Sequence, residues 1–279
     1  MPQFDRAGED VGNIVALEHV NVQVPDQARA TDFYITALGL TRDPYLVTGT
    51  DNMWVNVGQS QFHLPTGEAQ HLRGRTGLVM PDLDALEIRL ATAGMPCERE
   101  NGHIDTTCPW GNHIRVHGPG DERTLAMAYV AFDVPEGTAQ AVAAFYREVW
   151  KTDAWVDRNG VAHAPVGHGQ ELRFVESVGP LPDYDGHHIA IYVADFSGPH
   201  RWLEERGLIS EESNRWQYRF LDIVDPGTGE PVFRIEHEVR SMTHPIYGRS
   251  LVNRNPDVTI SAFAAGHEAV AWTAPPDRC

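Results

Sequence analysis

Polar and apolar positions along the chain fall into four matching stretches. Each opens on alternation, in "HVNVQVPD" from His19, "RTGLVMPD" from Arg75, "YVAFDVPE" from Tyr129 and "HIAIYVAD" from His188. A period of two predicts a strand with one buried face. Each stretch ends in an acidic residue placed to cap a helix, namely Asp26, Asp82, Glu136 and Asp195. Helical segments follow in "QARATDFYITALGL", "LDALEIRLATAGM", "GTAQAVAAFYREVW" and "SGPHRWLEERGL", with Gly39, Gly94 and Gly207 as stops. Short strands complete each repeat, the last of them reading "SQFHLP", "GNHIRVHG", "QELRFVES" and "PVFRIEHEVR". The pattern predicts an α+β fold of four βαβββ modules.

A chain of 279 residues holds one large domain or two ordinary ones. The turn "GPGD" at 118–121 divides a first pair of modules, 14–120, from a second pair, 125–256, with a loosely ordered tail at 257–279. A net charge of −17 argues against nucleic acid or an anionic membrane as partner. No apolar run reaches membrane-span length and the N-terminus lacks a signal-peptide pattern. Cys97, Cys108 and Cys279 show no paired spacing, which fits unpaired thiols in a reducing, cytoplasmic setting and argues against a cysteine zinc site. The 14 histidines raise metal ligation as a candidate chemistry.

The order of strand, helix with "DFYITALGL", three strands, and late "PWGNHIRV" or "DPGTGEPVFRIE" resembles the vicinal oxygen chelate superfamily over roughly residues 15–240. Glyoxalase I, fosfomycin-resistance thiol transferases and type I extradiol dioxygenases belong to it. The resemblance implies that two modules together form one cup-shaped, partly open mixed β-barrel with its helices outside. It also implies a divalent metal in the cup, held from first and last strands, most often by two histidines and a glutamate.

Side chains alternate across each strand, so one face of each lines the cup and the other packs on a helix. His19, with Asn21 and Gln23, opposes the valine face of the first strand; His188 lies with Ala190 and Tyr192, and His187 is one step off that face. Glu236 lies with Arg234 and Glu238, and aligns with the metal-binding glutamate of the family. Equivalent positions in modules two and three hold Arg75, Tyr129, Arg115 and Arg173, and arginine cannot ligate. Pairing module one with module four therefore assembles His19, His188 and Glu236, with His63 as a fourth donor left open; pairing neighbours in order is the alternative.

The implied ligand set suits Fe(II) first, with Mn, Zn, Ni or Co as alternatives. The expected partner is a small organic substrate that chelates the metal through oxygens, and a homodimer is compatible with the tail. Tyr218 and Asp222, read as sharing a face of "RWQYRFLDIVDP", and Tyr247 of "SMTHPIYGRSLVNRNP" are the candidate catalytic groups. Extradiol dioxygenases carry a tyrosine near the place of Asp222, so the chain departs from their pattern there. The functional expectation is a metal-dependent enzyme, a non-haem iron dioxygenase-like oxidoreductase. A glyoxalase-like lyase or isomerase and a metal-free binding or resistance protein are the rivals.

Overall fold

A computed structural model describes residue 6 and residues 10–44, 51–120 and 123–253. The four βαβββ modules are present. Module one holds β1 (Ile14–Asn21), α1 (Gln27–Ala30, continuing as a π-helical turn over Thr31–Ala37), β2 (Thr41–Arg42), β3 (Asn52–Val57) and β4 (Ser60–Pro65). Module two holds β5 (Gly74–Val79), α2 (Leu83–Thr92), β6 (Glu98–Glu100), β7 (His103–Thr107) and β8 (His113–His117). Module three holds β9 (Ala126–Pro135), α3 (Ala139–Trp150), β10 (Trp155–Val156), β11 (Ala162–Pro165) and β12 (Glu171–Ser177). Module four holds β13 (His188–Val193), α4 (Ser197–Glu204), β14 (Ile209–Asn214), β15 (Gln217–Val224) and β16 (Pro231–Ser241).

The strands form two eight-stranded mixed sheets, ordered β14-β15-β16-β13-β1-β4-β3-β2 and β10-β11-β12-β9-β5-β8-β7-β6. These are two open, cup-shaped βαβββ barrels. Each sheet draws one module from either side of residue 120: modules one and four share a sheet, as do two and three. In modules one, two and four the first strand runs parallel to the last: β1 to β4, β5 to β8 and β13 to β16.

Local chemistry explains most helix boundaries. Asp26 accepts hydrogen bonds from the amides of Ala28 and Arg29, Asp82 from Ala85, and Asp195 from Gly198, all at 2.8–3.1 Å. Glu136 does not take the capping role expected of it. Glu176 reaches across from β12 and accepts from the Ala139 amide at 2.9 Å instead. Gly94 and Gly207 end α2 and α4 at φ of 66°, a region glycine enters without a Cβ penalty. In module three Lys151 ends α3 in that region, at φ 53°.

The chain divides into two compact units, Met1–Glu18 with Ala131–Gly248, and His19–Val130 with Arg249–Cys279. In the first unit, α3 buries Phe145, Tyr146 and Trp150 against β15 and β16. Trp150 stacks on Phe220, whose ring lies 4.4 Å from that of His237. The Tyr146 hydroxyl meets His237 Nε2 at 2.6 Å. In the second unit, Phe33 and Tyr34 of the π-helical turn are buried, and the Tyr34 ring packs 5.2 Å from that of Phe62 in β4. Gly77 of β5 lies beneath Tyr129, where a Cβ would stand 2.1 Å from the ring. That ring fills the space an ordinary side chain on β5 would take. Among the described residues no helix is long and apolar enough to cross a membrane.

Candidate metal centre

The site is built on the inner face of β13, β15 and β16. Register places His188 beside Glu236, Ala190 beside Glu238, and Tyr192 beside Arg240. It also places Arg219 beside Glu238 and Gln217 beside Arg240. Paired residues in adjacent strands point to the same face. One face therefore carries His188, Glu236, Glu238, Arg219, Arg240 and Tyr192. Ala190, the residue beside Glu238, carries only a methyl group.

His19, His188 and Glu238 each offer one ligand atom, and those atoms lie within 4.8 Å of one another. Glu238, rather than Glu236, is the carboxylate of this group. The reason is visible at His188, whose Nε2 lies 3.6 Å from a Glu238 oxygen while its Nδ1 lies 3.5 Å from Glu236. Glu236 and Glu238 occupy the same face two residues apart, so alternation alone could not choose between them. His19 also groups with Glu18 and His63 within the same limit. His63 is buried, stacked between the rings of His19 at 3.7 Å and Trp54 at 3.8 Å, with Nε2 3.2 Å from Gln61 Oε1.

Two arginines enter this face, although the first and last strands of modules one and four offered none at the aligned positions. Arg219 bonds to both Glu236 and Glu238. Arg240 lies 2.5 Å from the other Glu238 oxygen and 3.0 Å from Glu18. Arg219, Arg240 and Glu18 carry no role in the sequence pattern, and Glu238 is placed on the cup face there without one. The signal for three of them was the alternation in "EHEVR" and in "QYRF", which puts Glu238, Arg240 and Arg219 on the cup side.

Electrostatics follow from this packing. Burial, reinforced by the charges of Arg219 and Arg240, pushes His188 down to about 3. The imidazole is therefore neutral, as a ligand must be. Burial raises the Glu238 carboxyl, against the opposing pull of Arg240 and Arg219. Burial works against the Arg240 charge too, but Glu18 and Glu238 outweigh it and hold the guanidinium above its ordinary value. Tyr192 is pushed up to about 12, first by burial and then by Glu18, so its hydroxyl keeps its proton.

The other expected site residues separate. Tyr218 is not a cup residue: it pairs with Val239 on the helix side, and its buried ring packs against Phe196 and His200. A bulge between Phe220 and Asp222 breaks the alternation that had put Tyr218 and Asp222 on one face. Asp222 returns to the side of Arg234 and pairs with it at 2.7 and 3.0 Å. Tyr247 lies beside the site, its ring 4.8 Å from that of Tyr192, with His244 also against Tyr192. Residues 241–248 thus run along the cup face, whereas the expected tail at 257–279 lies outside the described residues. His187 is fully buried, with Nδ1 2.6 Å from Asp185, in keeping with a structural role.

Two neutral histidines make the metal-free protein sensitive to acid. His237, buried behind β16, is pushed down to about 4, and His188 to about 3. In the unfolded chain both titrate near about 6.5. Between these values the unfolded state binds more protons, so stability rises with pH there and falls on acidification. Urea titrations of metal-stripped protein are expected to give an unfolding free energy lower by at least about 1 kcal/mol at pH 5 than at pH 7. An unchanged or higher value at pH 5 contradicts the burial of neutral imidazoles.

No protein-family model matches the chain, and no curated protein matches it. Its fold is similar to that of a candidate dioxygenase from Bacillus subtilis, with a TM-score of 0.61 and 14% identity over 86% of this chain and 92% of that one. It is also similar to glyoxalase I from Zea mays, with a TM-score of 0.60 and 15% identity over 81% and 92% of the two chains. At such identities the likeness is one of fold.

Proposed function

We propose, from the premise that the chain has the vicinal oxygen chelate fold, that it is a metal-dependent enzyme acting on a small organic substrate. The observation that carries this reading is the meeting of His19, His188 and Glu238 within ligand distance of one another. Two imidazoles and one carboxylate on different strands suit a borderline divalent ion with open positions. Such an ion would act as a Lewis acid toward substrate oxygens, and iron would add reactivity toward O2. Fe(II) and a dioxygenase-like reaction are the finer form of the proposal.

Each residue then has a task. His188 presents Nε2 toward the ion position, and Glu236, on its Nδ1 side, orients the ring. Arg240 offers positive charge to an anionic substrate oxygen. Tyr192 keeps its hydroxyl proton as a donor. Tyr247 and His244 cover Tyr192 and shield that corner of the face from water. Glu238, raised by burial, is the group best placed to accept a proton when it is not ligating. Asp222, held by Arg234, anchors the rim.

A second reading is a metal-free binding protein, in which Arg75 and Arg115, lining a cavity with His113, would hold an anionic ligand. Metal analysis separates the two. The protein purified without oxygen is expected to carry about one equivalent of a divalent ion, and the iron-loaded protein to consume oxygen. Protein free of bound metal that takes up none on titration favours the binding protein. Isomerisation of an α-ketoaldehyde adduct without oxygen uptake favours the glyoxalase-like lyase.

A further inference from the structure

The two arginines differ in what they do to Glu238. Arg240 holds one carboxylate oxygen and is tied behind it to Glu18. Arg219 holds the other oxygen, the one facing His188 Nε2 at 3.6 Å, and at the same time holds Glu236. The oxygen most useful to a metal is thus occupied by a guanidinium. Arg219 also has somewhere to go: its Nε lies 3.8 Å from Glu211, whose side chain is 55% exposed at the edge strand β14.

Resting on the metal reading of the site, we propose that Arg219 is an internal cation that competes with the metal. In the metal-free protein its guanidinium bridges Glu236 and Glu238 and offsets part of their charge. Loading requires that it release Glu238 and turn toward Glu211. Arg219 is thereby a positioning residue that sets metal affinity, and it makes the site weaker than its three donors alone would be. The physical cause is like-charge repulsion across a few ångströms in a partly buried setting, where water screens poorly. The stabilising half of the role has the same origin, because two carboxylates side by side on one buried face repel when nothing bridges them.

Opposite effects on affinity and on stability distinguish this role from ordinary packing, since damage to packing weakens both. Full-length, metal-stripped protein is titrated with Co(II), followed by its visible absorption and by calorimetry. Arg219→Gln is expected to bind Co(II) about tenfold or more tightly than the parent. Its metal-free melting temperature is expected to fall, and Co(II) to raise it by more than it raises the parent's. Equal or weaker binding overturns the inference, as does equal tightening by Arg234→Gln, which removes a positive charge paired with Asp222 on the same face. If Arg219→Gln does not fold, Arg219→Met carries the test. It removes the charge and keeps an unbranched side chain, so it too is expected to bind more tightly than the parent, and equal or weaker binding overturns the proposal. Binding of Co(II) by the parent without the tightening leaves the metal site standing and removes only the role of Arg219. Absence of binding by every protein removes the metal site itself.

Discussion

Replacing His188 with alanine is expected to lower metal affinity by more than about 100-fold, since removing even a supporting partner behind a ligand typically costs about 10–100-fold. His188 is neutral, buried and aimed at Glu238, and no neighbouring imidazole on β13 can stand in for it. The adjacent histidine provides the control. His187 is fully buried and bound to Asp185 at 2.6 Å, on the opposite side of the strand. His187→Ala is expected to lower stability and to leave one equivalent of metal bound. Mass spectrometry of both purified variants, with circular dichroism to confirm the fold, checks the pair. Equal metal loss from both, or full retention by His188→Ala, refutes the assignment.

Trp150→Ala is expected to destabilise the unit formed by residues 1–18 and 131–248 by about 3–5 kcal/mol. Trp150 is completely buried at the end of α3, and its removal leaves a cavity that the sheet can only partly fill. The loss extends beyond one contact. Trp150 backs Phe220, Phe220 backs His237, and His237 is followed in β16 by Glu238. The candidate metal site is therefore backed by a stack of rings. Urea unfolding followed by far-ultraviolet dichroism gives the magnitude. A loss below about 1 kcal/mol would mean that the cavity collapses or that the stack carries little of the stability.

Most of the fold was legible in the sequence because it repeats. Four alternating stretches with acidic ends placed β1, β5, β9 and β13 to within a few residues. The last strand of each module fell almost where its apolar pattern put it, as with β4 at Ser60–Pro65. Pairing one module with another was harder, since it depends on contacts between distant parts of the chain. Charge is the signal that bears on it, since modules one and four carry no arginine at the aligned positions. The sheet order agrees with that signal, although Arg219 and Arg240 stand on the same face, balanced by Glu18, Glu236 and Glu238.

The differences between the pattern of the sequence and the geometry of the candidate site have physical causes. Alternation identifies a face and not a depth along it, so Glu236 and Glu238 were indistinguishable. A bulge after Phe220 shifts the phase of β15, which moved Tyr218 to the helix side and made its apparent kinship with Asp222 false. Register shifts of this kind leave no mark in a pattern of apolar and polar letters. The capping exchange of Glu136 for Glu176 is similar, because the donor comes from a strand remote in sequence.

The union of the first strand with the last module has a consequence for the life of the chain. Asn13 bonds Asp195 with its side chain, and its carbonyl accepts from the Ala194 amide, contacts between residues 182 apart in the first case. On the ribosome β1 must therefore wait until residues 188–193 have been made before its neighbour β13 exists. Until then β1 offers an open edge, and synthesis rather than chemistry sets the earliest moment at which the protein can work.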